Sequence, residues 1–129
     1  MIQKHQGIYE VAIQARIGNV NASDSYKEVL RVKSEQLREE LGYSAANPLE
    51  KLAIEQIVLC WLYCYEIEVQ HATYLSKSHN KDSGIYWEKR LAYASRRYER
   101  ALEMLSRMRK MNLVVQVNNA NNQIINNGH

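Results

Sequence analysis

The sequence has no phenylalanine, one proline, two cysteines and five glycines in 129 residues. The glycines lie in predicted loops or termini, and none belongs to a phosphate-binding glycine loop or a Gly-x-Ser-x-Gly motif. Paired catalytic carboxylates are also missing, so we expect no catalytic residues and predict that the protein is not an enzyme. The large rings of the core must come from tyrosine and tryptophan, whose polar atoms need partners when buried.

The sequence also has no apolar run long enough to cross a membrane. Run 57–65 is closed by Glu66 and Glu68 and is much shorter than the roughly 20 residues that a spanning helix needs. The N-terminus has no long apolar core, so we expect no signal peptide. Cys60 and Cys64 lie one helical turn apart, which aims the thiols poorly for a disulfide, and reduced thiols suit a cytosolic protein. We therefore expect a cytoplasmic protein without a membrane partner.

Two long helical patterns between residues 48 and 112 organise the chain. Asn47, Pro48 and Glu50 provide an N-cap side chain, a proline at the first helical position and a glutamate at the third. From there to residue 65 the apolar residues are so dense that no polar face remains for about two turns, and such a helix must be covered on several sides. The second pattern, 83–112, has a heptad seam formed by Trp87, Leu91, Ala94, Tyr98, Ala101, Leu105 and Met108.

The chain before this pair predicts one further helix and one ambiguous arm. In the arm, residues 1–22, the apolar residues alternate as in a strand, but Tyr9, Ile13 and Ile17 also match a helical stripe. A helix capped by Ser23, Asp24 or Ser25 then runs through Leu41 and ends at Gly42. The linker that follows is short, so this helix packs back on the next one. We predict a mainly all-α fold, with a three-helix core in 23–112 built on a long antiparallel hairpin.

The tail, residues 113–129, changes composition abruptly. Residues 113–117 are β-prone and 118–127 are rich in asparagine, which predicts a short C-terminal β segment of strand, turn and strand. An isolated hairpin is marginal in water, so an ordered tail would pair with an edge in this chain or a neighbour. The alternative is a disordered tail. We predict a homo-oligomer whose candidate contact residues are Val114, Val115, Val117, Ile124 and Ile125.

Charge is segregated between the two long helices. Residues 83–112 carry eight Lys or Arg against three Glu, a net charge of +5, whereas 48–78 has a net charge of −2. Attraction between the two helices would explain this, and an anionic partner such as DNA is the alternative. The candidate nucleic-acid-binding residues are Arg96, Arg97, Arg100, Arg107 and Lys110.

One stripe of helix 48–78 has the residue types of a metal site. Cys60, Cys64, Glu68 and His71 follow one another at spacings of four, four and three, and Glu-x-x-His is half of a di-iron pattern. Helix 83–112 contains no histidine to complete it, so core cysteines are the favoured interpretation. We predict no metal ion and no cofactor, and keep a small helical metal-binding or redox protein as the alternative function.

The stretch 47–117 resembles a family of uncharacterised bacterial helical-hairpin proteins. The shared features are N-P-L-E-K-L at a helix start, a Trp-containing apolar helix, a helix beginning W-x-K-R-L-x-x-A-x-R-R-Y, and a closing V-x-V-N. This covers about half the chain and implies no activity. More loosely, a helical hairpin followed by a β segment is similar to the assembly part of phage small terminase subunits. That resemblance implies DNA packaging, although residues 1–46 lack the helix-turn-helix usual there.

Overall fold

The structure, a computed structural model, describes residues 7–20, 22–75 and 81–127. These residues form four α-helices and one short 3-10 helix, and no strand occurs among them. The helices are α1 (Ile8–Gly18), α2 (Asp24–Glu40), the 3-10 helix Tyr43–Ala45, α3 (Pro48–Leu75) and α4 (Lys81–Asn127). Helices α3 and α4 form an antiparallel hairpin, and α1 and α2 pack on the α3 side of it. The prediction of an all-α fold is confirmed.

The predicted helix starts rest on side-chain caps. Ser23 Oγ accepts the Tyr26 backbone N–H at 3.2 Å at the start of α2. At the start of α3, Asn47 Oδ1 accepts the Glu50 N–H at 2.8 Å, and Asn47 Nδ2 donates to Glu50 Oε1 at 3.2 Å. Each cap satisfies a backbone N–H that the first helical turn leaves without a partner.

The N-terminal arm contains a helix, and this corrects the predicted number of core helices. Tyr9, Ile13 and Ile17 are buried along one side of α1, so the helical stripe and not the alternation describes the arm from Ile8 to Gly18. They join one apolar cluster with Leu30 of α2 and residues of α3 and α4. The core is therefore built by four helices, not three; residues 1–6 and 21 of the arm lie outside the described residues.

The hairpin seam is the part of the core that positions α4. Ala94 and Leu105 are fully or nearly buried, and Tyr98, Ala101 and Met108 pack against the core between and beyond them. On α3, Ile54, Ile57, Val58 and Leu62 are buried, whereas Leu49 and Leu52 near its start are exposed. The apolar helix is thus covered on several sides except at its N-terminal end.

The predicted C-terminal β segment is wrong for the described residues. Helix α4 does not end near Asn112 but continues through 113–127 to Asn127. Extending an existing helix adds one backbone hydrogen bond per ordered residue and needs no new nucleus. A strand would instead need an open sheet edge, and the described part of the chain contains none.

No described helix is long and apolar enough to cross a membrane.

Candidate nucleic-acid and self-association surfaces

The basic residues of α4 form an exposed face, which lies away from the core except at Arg97, whose guanidinium lies next to the Tyr63 ring of α3. Arg96, Arg97, Arg100, Arg107 and Lys110 are all exposed. Within the described residues, only Arg107 among these five makes an ion pair, with Glu103 at 3.9 Å, and both side chains are largely exposed. Such a surface pair contributes little, so the positive charge of the face is available to a partner.

Attraction between the two long helices is local and does not neutralise this face. Among the described residues, one ion pair joins a carboxylate of α3 to a base of α4, between Glu50 Oε2 and Arg109 Nε at 3.7 Å. Two other acidic side chains of α3 have partners outside α4. Glu66 pairs with Arg16 of α1 at 3.7 Å, and Glu55 accepts a hydrogen bond from the Tyr43 hydroxyl at 2.9 Å.

Glu50 marks the point where α4 leaves the body of the molecule. Its Oε1 accepts hydrogen bonds from Asn47 Nδ2 and, at 2.6 Å, from Asn112 Nδ2. The neighbouring Arg109 pairs with Glu50 and also donates to the Leu41 carbonyl oxygen at the end of α2. The sequence indicated Glu50 only as part of a helix cap. Its second role, as the last polar link between α3 and α4, depends on the antiparallel register.

Beyond this link, residues 113–127 form a helical extension of α4. At about 1.5 Å per residue it reaches about 22 Å further. Every side chain from Leu113 to Gln123 is exposed, including the candidate contact residues Val114, Val115 and Val117, each more than half exposed. Ile124 and Ile125 lie on the described backbone, but their side chains lie outside the described residues. From Met111 to Asn127 the sequence carries no charge.

The candidate metal ligands do not form a site. Among the described residues, no three His, Cys, Asp or Glu side chains lie close enough to hold a metal ion together. Cys60 is buried and accepts a weak contact from Gln56 Nε2 at 3.5 Å, while Cys64 Sγ lies 3.7 Å from Ser95 Oγ of α4. The cysteines therefore sit in the packing between helices.

A cluster of arginines around one tyrosine was not predicted from the sequence. The Arg16 guanidinium lies 5.0 Å from the centre of the Tyr63 ring, and that of Arg97 lies 5.9 Å from it. Arg90 Nη2 donates to the Tyr63 hydroxyl at 3.2 Å. These residues belong to α1, α3 and α4, and Arg16 lies in the ambiguous arm. Only the tertiary structure brings them together.

A mainly apolar cavity of about 480 Å³ lies between the α1–α2 connection, α3 and α4. Tyr26, Leu62, Tyr65 and Trp87 contribute to its wall, and Glu66 is the one carboxylate among its described lining residues. Burial and a hydrogen bond with Tyr65 raise the pKa of Tyr26 to about 12, so this hydroxyl stays neutral at physiological pH. Its mainly apolar lining is typical of a packing gap between helices.

A scan against protein-family models, a search of curated proteins and a search of solved structures each found no match to this chain. The resemblances to bacterial helical-hairpin proteins and to small terminase subunits therefore stay predictions.

Proposed function

We propose that this protein is a non-enzymatic assembly protein that forms homo-oligomers through the extension of α4. One observation carries the proposal: the helix continues past Asn112, which bonds to Glu50, and exposes every described side chain from Leu113 to Gln123. Valine and asparagine are poor helix formers, and short isolated helices are marginal in water. A partner that covers the extension would stabilise it.

The apolar residues of the extension have the spacing of a helix-to-helix contact. Leu113, Val117 and Ala120 follow at intervals of four and three, as in a coiled coil. On a helix with 3.6 residues per turn they lie roughly a quarter turn away from the seam that faces α3. The seam side of the extension instead carries Asn112, Gln116, Asn119 and Gln123. This stripe is thus a separate surface and not a continuation of the core.

A second copy of the chain suits this stripe because the extension carries no charge. Identical helices that align side by side place like charges together wherever they carry charge, and that repulsion opposes association. No such repulsion arises between Met111 and Asn127. The two amide side chains that flank the stripe, those of Gln116 and Asn121, carry both donors and acceptors, so they can bond to their own copies in a neighbouring chain.

Light scattering during gel filtration, at several micromolar concentrations, tests the proposal. We expect the full chain to have a mass that is a multiple of 15.1 kDa. The double variant Leu113→Gln, Val117→Gln places good helix formers at both positions but removes the large apolar side chains of the stripe. It should move the mass toward the monomer. The control Asn119→Ala, Asn122→Ala changes another side of the same helix and should keep the wild-type mass. A monomeric wild type, or a double variant that assembles like wild type, would refute the proposal.

We propose as a second function that the basic face of α4 binds nucleic acid through phosphate contacts. The observation that favours it is the exposure of Arg96, Arg97, Arg100 and Lys110 without an ion pair among the described residues. Binding of this kind rests on counterion release, so it weakens steeply with salt and depends little on base sequence. An oligomer would present several such faces to one strand and raise the apparent affinity.

Fluorescence anisotropy with a labelled DNA at about 50 mM salt tests this second function, because electrostatic binding is strong in that range. Changing Arg96, Arg97 and Arg100 to Glu should abolish binding. The control changes Lys27, Arg31 and Lys33 of α2 to Glu, which alters the net charge equally on another helix. Equal loss of binding in both variants would mean that net charge alone is responsible, and no binding by wild type would exclude the function.

A further inference from the structure

We propose that the cleft between α1, α3 and α4 is a phosphate-binding site in which Arg16 and Arg97 hold the anion and Tyr63 positions them. Only the identity of the ligand, a nucleic acid that carries the phosphate, rests on the proposed nucleic-acid binding. Arg16 lies outside the basic face of α4, so the two ideas can be tested separately.

Like charges converge on the ring of Tyr63. Three guanidinium groups, those of Arg16, Arg90 and Arg97, surround the single ring of Tyr63. Among the described residues, one carboxylate opposes them, Glu66, at 3.7 Å from Arg16 Nη1. The cluster therefore keeps an excess of positive charge. An anion bound by Arg16 and Arg97, which line the same recess, would offset this excess.

The cleft between α1, α3 and α4 contains recesses lined by arginine. A recess of about 240 Å³ is lined by Arg16, Gln56, Cys60, Tyr63 and Arg97, together with Ala12 and Leu59. An adjoining recess of about 200 Å³ shares Gln56, Cys60 and Arg97 with it and adds Arg100. Arginine side chains thus line both recesses, and Gln56, which also lines both, adds its amide as a further polar group.

Tyr63 orders the arginines before a ligand arrives. Its ring attracts the Arg16 and Arg97 guanidinium groups, and its hydroxyl accepts a hydrogen bond from Arg90 Nη2. Arg97 also lies 5.8 Å from the centre of the Tyr93 ring. Planar guanidinium groups bind phosphate through paired N–H donors, and holding them in place lowers the entropy lost on binding.

The test follows the side-chain Nε–H resonances of arginine by NMR in the full chain, with inorganic phosphate as the probe. We expect saturable shifts at Arg16 and Arg97. Arg16→Gln should weaken phosphate binding by about tenfold, the effect of losing one charge-assisted contact. Arg16→Lys should also weaken it, because lysine loses the paired geometry. Tyr63→Leu, which leaves all charges in place, should weaken it through loss of positioning.

The control is Arg107→Gln, which removes one positive charge from α4 outside the cleft and should leave phosphate binding unchanged. The proposal is overturned if Arg16 and Arg97 show no saturable shift, or if Arg107→Gln weakens binding as much as Arg16→Gln does. Arg16 is two-fifths exposed, so its replacement should leave the fold intact, and circular dichroism checks this.

A second arm uses a labelled single-stranded oligonucleotide to identify the carrier of the phosphate. If the site takes backbone phosphate, Arg16→Gln weakens both ligands. If the protein binds inorganic phosphate but not the oligonucleotide, the phosphate site is supported and the nucleic-acid function is rejected. Oligonucleotide binding that Arg16→Gln leaves unchanged, but that Arg96→Glu with Lys110→Glu abolishes, overturns the site as the nucleic-acid contact and keeps the proposed function, because neither Arg96 nor Lys110 lines the cleft.

Discussion

Gly42 is the residue whose backbone conformation most restricts its replacement. Its φ of +84° lies in the left-handed region, where it ends α2 and turns the chain toward α3. A Cβ there would also lie 3.3 Å from Arg109 Nη2. We expect Gly42→Ala to lower the free energy of unfolding by about 1–2 kcal/mol in urea denaturation, the usual cost of this conformation for a side-chain-bearing residue.

Gly84→Ala is the matched control for Gly42→Ala. Gly84 lies within α4, and among the described residues no atom beyond its chain neighbours and its own helix backbone lies within 4 Å of a Cβ built on it. Alanine favours the helix there, so stability should rise by up to about 1 kcal/mol. A Gly42→Ala protein as stable as wild type would show that the left-handed turn is not required.

Burial of Tyr9 makes the fold sensitive to alkaline pH. Desolvation raises the pKa of Tyr9 from 10.0 to about 12, although nearby Arg38 acts in the opposite direction. Because the folded pKa is higher, the unfolded chain loses this proton first. The stabilising contribution is complete below pH 10 and falls as pH rises toward about 12.

We therefore expect Tyr9→Phe to lose less stability than wild type when urea denaturation is compared at about pH 8 and about pH 11, on either side of the ordinary tyrosine pKa. Tyr86→Phe removes a hydroxyl from an exposed ring of α4 and serves as the control. Equal losses in wild type and Tyr9→Phe would exclude Tyr9 as a source of the alkaline effect.

At the scale of elements, Glu50 joins the start of α3 to α4. Its carboxylate receives hydrogen bonds from two asparagine side chains and pairs with Arg109, and only 14% of the side chain is exposed. Glu50→Ala leaves the Arg109 charge without its carboxylate. We expect it to lower the free energy of unfolding by about 1.5–3 kcal/mol, the range for a charged hydrogen bond.

Glu103→Ala is the comparison for Glu50→Ala, because Glu103 makes the exposed pair with Arg107 on the same helix. Exposed pairs contribute at most about 1 kcal/mol, so this change should be nearly neutral in the same urea denaturation. Similar losses in the two variants would contradict the role of Glu50 as a structural link.

At the scale of the whole molecule, assembly should make thermal stability depend on concentration. If the extension is covered only in an oligomer, the melting temperature of the full chain rises with protein concentration, because association stabilises the folded state by mass action. The Leu113→Gln, Val117→Gln variant should melt at a temperature independent of concentration. Calorimetry over a tenfold or wider range of protein concentration measures this. A wild-type melting temperature that does not change with concentration would indicate that the extension is not an interface.

The sequence alone determined the starts of α2 and α3, the hairpin seam and the outward basic face. Asn47, Pro48 and Glu50 are adjacent in the chain, and capping depends on just such local contacts. The heptad seam was equally readable, because a helix places residues three and four apart on one side. Arg96 and Arg100 follow from the same geometry, since residues away from an apolar seam face outward.

The tertiary structure decided what local patterns left open or indicated wrongly. The segment that contains Tyr9, Ile13 and Ile17 is helical because α2 and α3 bury this stripe. The sequence of residues 1–22 alone gives no information about these two packing partners. The β-prone residues 113–117 are helical because α4 already exists before them, and propagation outweighs a weak local preference. Arg16, Tyr63 and Arg97 meet only when three helices pack, since contacts between distant residues depend on packing that no spacing encodes.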